Sequence, residues 1–114
     1  MNYTVEQIKD IVAEAQTAAF AAASKFFQEK LGGVDQYACG FAATRIYGIK
    51  GNTKLGRTMK AAGINRNDYE KCFEIWNPSK FPCQNVDTLE AGARAAAEVF
   101  SRYGFDARYW SRLD

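Results

Sequence analysis

Histidine is absent from the 114-residue chain, and much of the usual catalytic vocabulary goes with it. Without it there is no Ser-His or Cys-His nucleophilic pair, no HExxH zinc site and no imidazole base. Cysteine is scarce as well. Cys39, Cys72 and Cys83 are widely spaced and make no CxxC pair, so they offer a poor structural zinc site. Their number is odd, and free thiols in a reducing compartment are the expectation. No two carboxylates stand at a spacing that singles out a catalytic pair. The residues therefore lead to no assigned catalytic group, metal or cofactor, and the reading leans away from an enzyme.

Long hydrophobic runs are missing too. The most apolar stretch, Ala13 to Phe27, is broken by Glu14, Gln16, Thr17, Ser24 and Lys25, well short of the roughly 18 apolar residues that argue for a bilayer span. The first residues show no basic stretch followed by an apolar core, so neither a secretory signal nor a membrane partner is expected. A cytoplasmic location follows as the expectation. Proline occurs only as Pro78 and Pro82, which mark one loop.

What is present has ordinary globular composition, 47% hydrophobic and 25% charged, in a length that suits one domain spanning 1–114. The clearest element is a long alanine-rich helix within residues 1–33. Thr4 and Gln7 form a capping-box pattern, Glu6 places an acid in the first turn, and Gly32-Gly33 stop the helix after Leu31. Val5, Ile8, Val12, Ala15, Ala19, Ala22 and Phe26 repeat as a heptad stripe, flanked by Ile11, Phe20, Phe27 and Leu31. At about 1.5 Å per residue such a helix is roughly 40 Å long. It must kink, lie across the whole domain, or reach a second copy, which makes a homo-oligomer through this helix an open expectation.

Residues 37–114 read as a β-α-β-α-β unit. Tyr37–Ile49 is predicted as a strand with Cys39, Phe41, Ala43, Tyr47 and Ile49 on its apolar face and Arg45 as the exception. A short helix is predicted over Thr53–Ala62, a polar connector over Asn65–Asn67, and a strand from Tyr69 to Trp76. A third helix follows over Val86–Tyr103 and a last strand over Phe105–Ser111. The order is α-β-α-β-α-β. Each strand has a polar face, which points to an α+β fold with a three-stranded antiparallel or mixed sheet and the helices on one face.

Charge is unevenly placed. Arg45 to Lys71 holds seven basic residues against Asp68 and Glu70, a local excess of +5 in a chain whose net charge is +2. Within it, Gly51 to Thr58 follows the GxxxxGK(S/T) spacing with Arg57 in place of lysine. A magnesium-binding acid and a larger sheet would be needed for a nucleotide hydrolase, and neither is evident. The weaker claim is an anion site: Lys50, Asn52, Thr53, Lys54, Arg57 and Lys60 gather around a turn that opens a helix. The alternative is a merely solvated basic turn. A second group is Arg45 and Trp76 with Tyr47, Tyr69, Tyr109 and Trp110, where arginines and aromatics together suit base stacking but also suit a core. A third is Arg108 and Arg112 with Ser111 and Asp114, which either order a ligand or pair with Glu70 and Glu74.

Ala38-Cys39-Gly40-Phe41-Ala42, Lys50–Arg57, Ile75-Trp76-Asn77-Pro78-Ser79, Gln84-Asn85-Val86-Asp87 and Ser111-Arg112-Leu113-Asp114 resemble segments of short uncharacterised accessory proteins encoded by tailed bacteriophages. The likeness runs from about Tyr37 onward. It implies action in the host bacterial cytoplasm and carries no activity with it. The expected function is a non-catalytic binding module whose basic loop contacts nucleic acid or a nucleotide. The alternative is an inhibitor of a host protein, and a small enzyme on phosphorylated substrates is the remaining reading.

Overall fold

The computed structural model describes residues 1–114. Helix α1 spans Val5–Leu31. Its capping box is formed: the Thr4 hydroxyl oxygen accepts from the Gln7 amide at 3.1 Å, and the Thr4 amide donates to Gln7 Oε1 at 2.8 Å. Gly32 ends the helix in the left-handed conformation, φ 66°. The helix is unbroken and the domain is 44 Å along its longest axis, so the length is accommodated within the chain. Its buried line is Ile8, Ile11, Ala15, Ala19, Ala23 and Leu31. A straight helix drifts about 20° per heptad against a seven-residue repeat, which explains why burial passes to Ala23 rather than to the expected Ala22 and Phe26. Phe20 and Phe27 instead pack on Phe81 of the proline loop, with ring centroids 5.6 and 5.1 Å away.

Strand β1 spans Gly40–Tyr47, helix α2 Lys54–Ala61, strand β2 Asn65–Asn67 and strand β3 Cys72–Trp76. Helix α3, Val86–Arg102, and strand β4, Asp106–Leu113, follow. The sheet has four strands, not three, in the order β2-β3-β1-β4, and every pairing is antiparallel. The order along the chain is thus α-β-α-β-β-α-β. The difference is the polar connector Asn65–Asn67, which pairs with Cys72–Glu74 as a short edge strand. Polar residues suit an edge that faces water, and no apolar alternation announces them.

Helix α3 packs on β1 and β4, and α1 packs on α3. Gly92 permits the close approach: a Cβ there would lie 2.8 Å from Ser79 Cβ and 3.2 Å from the Ala19 carbonyl oxygen. The main core gathers Ile8, Ile11 and Ala15 of α1, Ile46 of β1, Phe73 of β3, and Val99 and Phe100 of α3. At the far end Asp35 accepts from the amides of Gln84 and Asn85, and Asn85 caps α3 by accepting from the Thr88 amide.

Phe41, Ala43 and Tyr47 share one face of β1 as expected, but Arg45 shares it too, and it is the face turned away from the helices. Ala42, Thr44 and Ile46 point to the helices: Ala42 packs with Leu89 and Ala93, and the Thr44 hydroxyl donates to the Ala93 carbonyl at 2.8 Å. Phe41, Arg45 and Tyr47 point to the other side. Strand β1 is central and nearly buried on both sides, so alternation in the sequence is weak. Arg45 is no exception in an apolar series but a regular member of the outer face.

Candidate functional site

Two surfaces hold most of the candidate residues named from the sequence. The first is the basic turn after β1. Thr53 caps α2: its hydroxyl oxygen accepts from the Gly56 amide at 3.1 Å while its proton goes to the Lys50 carbonyl at 2.7 Å. Arg57 Nη1 donates to the Asn52 carbonyl at 2.7 Å. Gly56 is required by packing, since a Cβ there would overlap the Lys50 carbonyl oxygen. The Thr58 hydroxyl donates to the Lys54 carbonyl, one turn back in α2. The phosphate-loop-like spacing is therefore explained by a turn folded onto itself, with Gly56 seated on Lys50-Gly51 and both threonine hydroxyls bonded to backbone.

The charge on this turn is left free. Lys50, Lys54, Arg57 and Lys60 are exposed, and none takes part in the seven ion pairs of the protein. Lys60 Nζ and Arg66 Nε both lie beside Gly51, 3.1 and 3.5 Å from where its Cβ would be. Arg66 alone has an acid, Asp68, at 2.9 Å. Next to the turn, a cleft of about 570 Å³ between the start of α1 and α2 is lined by Thr4, Lys54 and Thr58, among others.

The second surface is the sheet face turned away from the helices. The register pairs Arg45 with Arg108, Ala43 with Trp110 and Phe41 with Arg112 across β1 and β4, and Ala43 with Trp76 across β1 and β3. Guanidinium groups lie on aromatic rings in three places: Arg45 over Trp110 at 4.4 Å, Arg108 over Tyr47 at 5.1 Å and Arg112 over Phe41 at 5.2 Å. Trp76 stands between Phe41 and Trp110, with centroids 5.8 and 5.5 Å away, and remains 49% exposed. Arg45 is buried, its Nε 3.2 Å from Glu74 and its Nη1 3.9 Å from Glu70. Burial alone would lower the Arg45 pKa, but Tyr47, Cys72 and Glu74 around it raise it above the ordinary arginine value.

Of the aromatic set named from the sequence, Tyr47, Trp76 and Trp110 come together with Arg45. Tyr69 stands apart, 93% exposed in the turn between β2 and β3. Tyr109 points to the helix side, under Arg94 at 4.7 Å. Arg108 and Arg112 join the outer face, but Glu70 and Glu74 pair with Arg45 rather than with them; Arg108 pairs with Asp106 at 3.1 Å. Ser111 leaves the group by donating to Glu90 on α3 at 2.7 Å. Phe41 was not among the candidates, although its place four residues before Arg45 already sets it on the same face of a strand.

The thiols differ sharply in setting. Cys39 is exposed at the mouth of a cleft of about 350 Å³ that it shares with Phe41, Trp76 and Cys83. Burial pushes the Cys72 and Cys83 thiols up, so fewer thiolates form there at neutral pH. We expect a thiol-reactive disulfide reagent to label Cys39 first in the native protein. Peptide mapping checks this, and equal labelling of Cys72 would contradict the burial.

Comparison of the chain with protein families, with curated proteins and with solved structures returns no match. No helix is long and apolar enough to cross a membrane.

Proposed function

We propose that the protein is a small, non-catalytic binding module, of the phage accessory type, whose basic turn and α2 contact the phosphates of a nucleic acid. The observation that carries this reading is the group Lys50, Lys54, Arg57 and Lys60. These are four cations on one strand-turn-helix segment, with no acid among them and no ion pair to any. Internal pairing would have cancelled that field; left free, it attracts a polyanion and releases counterions on binding.

Titration of labelled oligonucleotides over a range of salt tests the proposal. With about four phosphates neutralised, log K against log salt has a slope near −3 for a single strand. Lys54→Ala/Lys60→Ala removes about two contacts and flattens the slope to roughly −1.5. Both lysines are exposed, so the variant keeps its fold. Binding that is absent, or a slope unchanged in the double variant, overturns the reading. Tyr69, fully displayed on the β2–β3 turn, favours a second reading as an inhibitor of a host protein, because exposed aromatics anchor protein interfaces. A nuclease-resistant stoichiometric complex that is lost on Tyr69→Ala would establish that one instead.

A further inference from the structure

The helix-free sheet face has a composition that a covered or idle surface does not need. Both tryptophans of the chain lie on it, and Trp76 keeps half its surface open between Phe41 and Trp110. Two of its three guanidinium–ring pairs, Arg108 on Tyr47 and Arg112 on Phe41, are built from exposed arginines above partly covered rings. Each presents a flat guanidinium top, although that of Arg108 is paired with Asp106, its Nε and Nη2 at 3.2 and 3.1 Å from the carboxylate. Arg112 has no carboxylate partner in any ion pair, whereas the buried Arg45 is held by Glu74 and Glu70 and acts as support beneath the surface. Along β1 these features occupy alternate residues from Phe41 to Tyr47, a run of about 20 Å at 3.4 Å per residue. Tyr47 ends the strand, and Gly48 to Lys50 lead directly into the basic turn.

We infer that the nucleic acid is single-stranded, and that its bases stack on Trp76 and on the Arg112–Phe41 and Arg108–Tyr47 pairs while its backbone runs on to the Lys50 turn. This rests on the function proposed above and adds which strand form is bound and where the bases lie. The chemistry favours it over a duplex: paired bases cannot offer their faces, whereas unstacked bases lie readily on aromatic rings and on guanidinium planes. Arginine and tryptophan also anchor protein interfaces, but an Arg112 plate without an acid partner, continuous with the free cations of the Lys50 turn, fits a base together with its adjacent phosphate.

Because both tryptophans report on this face alone, quenching of intrinsic fluorescence is a specific readout. The probe is unlabelled oligothymidylate of about twelve nucleotides, within the size range of single-strand sites. It should quench the unaltered protein, and a duplex of equal length should bind more weakly. Trp76→Ala should weaken single-strand binding about tenfold, the loss of one stacked base. Arg112→Glu, at an exposed position that leaves the fold intact, should weaken it as well. Lys54→Ala/Lys60→Ala should flatten the salt slope and leave the quenching at saturation in place. If salt-dependent binding persists and depends on the lysines, but without quenching or preference for the single strand, the inference is overturned and the proposed function stands. If no nucleic acid binds, both fall. Concentration-dependent self-association that is abolished by Arg112→Glu would show the face taken by a second copy, and would overturn the inference too. Should Trp76→Ala fail to fold, quenching in the unaltered protein together with Arg112→Glu decides the matter.

Discussion

Replacing Arg45 with alanine is expected to destabilise the protein by about 3–5 kcal/mol, the range for removing one partner of a buried ion pair. The Arg45 and Glu74 side chains are only 10% and 11% exposed, and their charges face each other at 3.2 Å. Without the guanidinium, Glu74 keeps a buried carboxylate whose remaining partner is Asn67 Nδ2, at a long 3.4 Å. Trp110 also loses the cation that lies 4.4 Å from its ring. The control is the double replacement Arg45→Met/Glu74→Leu, which removes both charges and keeps the volume. It should recover most of the loss, since apolar substitutes for a buried pair are often neutral or stabilising. Urea unfolding of the three proteins measures this. A single variant within about 1 kcal/mol of the parent would mean that water reaches the pair and screens it.

Phe100→Ala should cost a similar 3–5 kcal/mol, for a different reason. Phe100 is fully buried where α3 meets both α1 and the sheet, with its ring edge-on to Phe105 at 5.7 Å and 79°. Truncation loses the transfer energy of the ring and leaves a cavity that the surrounding elements cannot close. A rough conversion of 4 °C per kcal/mol for a domain of this size gives a drop in Tm of about 12–20 °C. Because domains of this kind are stable by only about 5–15 kcal/mol, the loss takes a large share of the total. Thermal melts followed by circular dichroism check the shift. A drop under about 5 °C would imply that the core repacks into the space.

The helices were legible to within a residue or two because their signals are local. Thr4 with Gln7 and Gly32-Gly33 mark the ends of α1 through nearest-neighbour geometry. The strand that went unread, Asn65-Arg66-Asn67, has no apolar residue to give it a period, and only its pairing with Cys72–Glu74 makes it a strand. Which face of β1 meets the helices was not legible, because Ala42 and Ala43 are both small and apolar and because a buried Arg45 looks out of place until Glu74 is seen beside it. The basic turn could be found from charge alone. The outer face could not: Trp76 and Trp110 are 34 residues apart in the chain, and they meet only because β3 and β4 flank β1 in a register that no local rule sets.

The arrangement of α1 against α3, with β1 between β3 and β4, bears on how the chain is made. Emerging from a ribosome, α1 lacks its main partner until residues 86–102 have left the exit tunnel, and β1 lacks one of its two neighbours until residues 106–113 follow. Early segments must therefore wait, with the Ile8–Ile11 side of α1 open to solvent or to chaperones, and folding cannot be completed piecemeal as synthesis proceeds. The decisive contacts close long loops, which slows the search at the outset and then locks both ends of the polypeptide into one cooperative event.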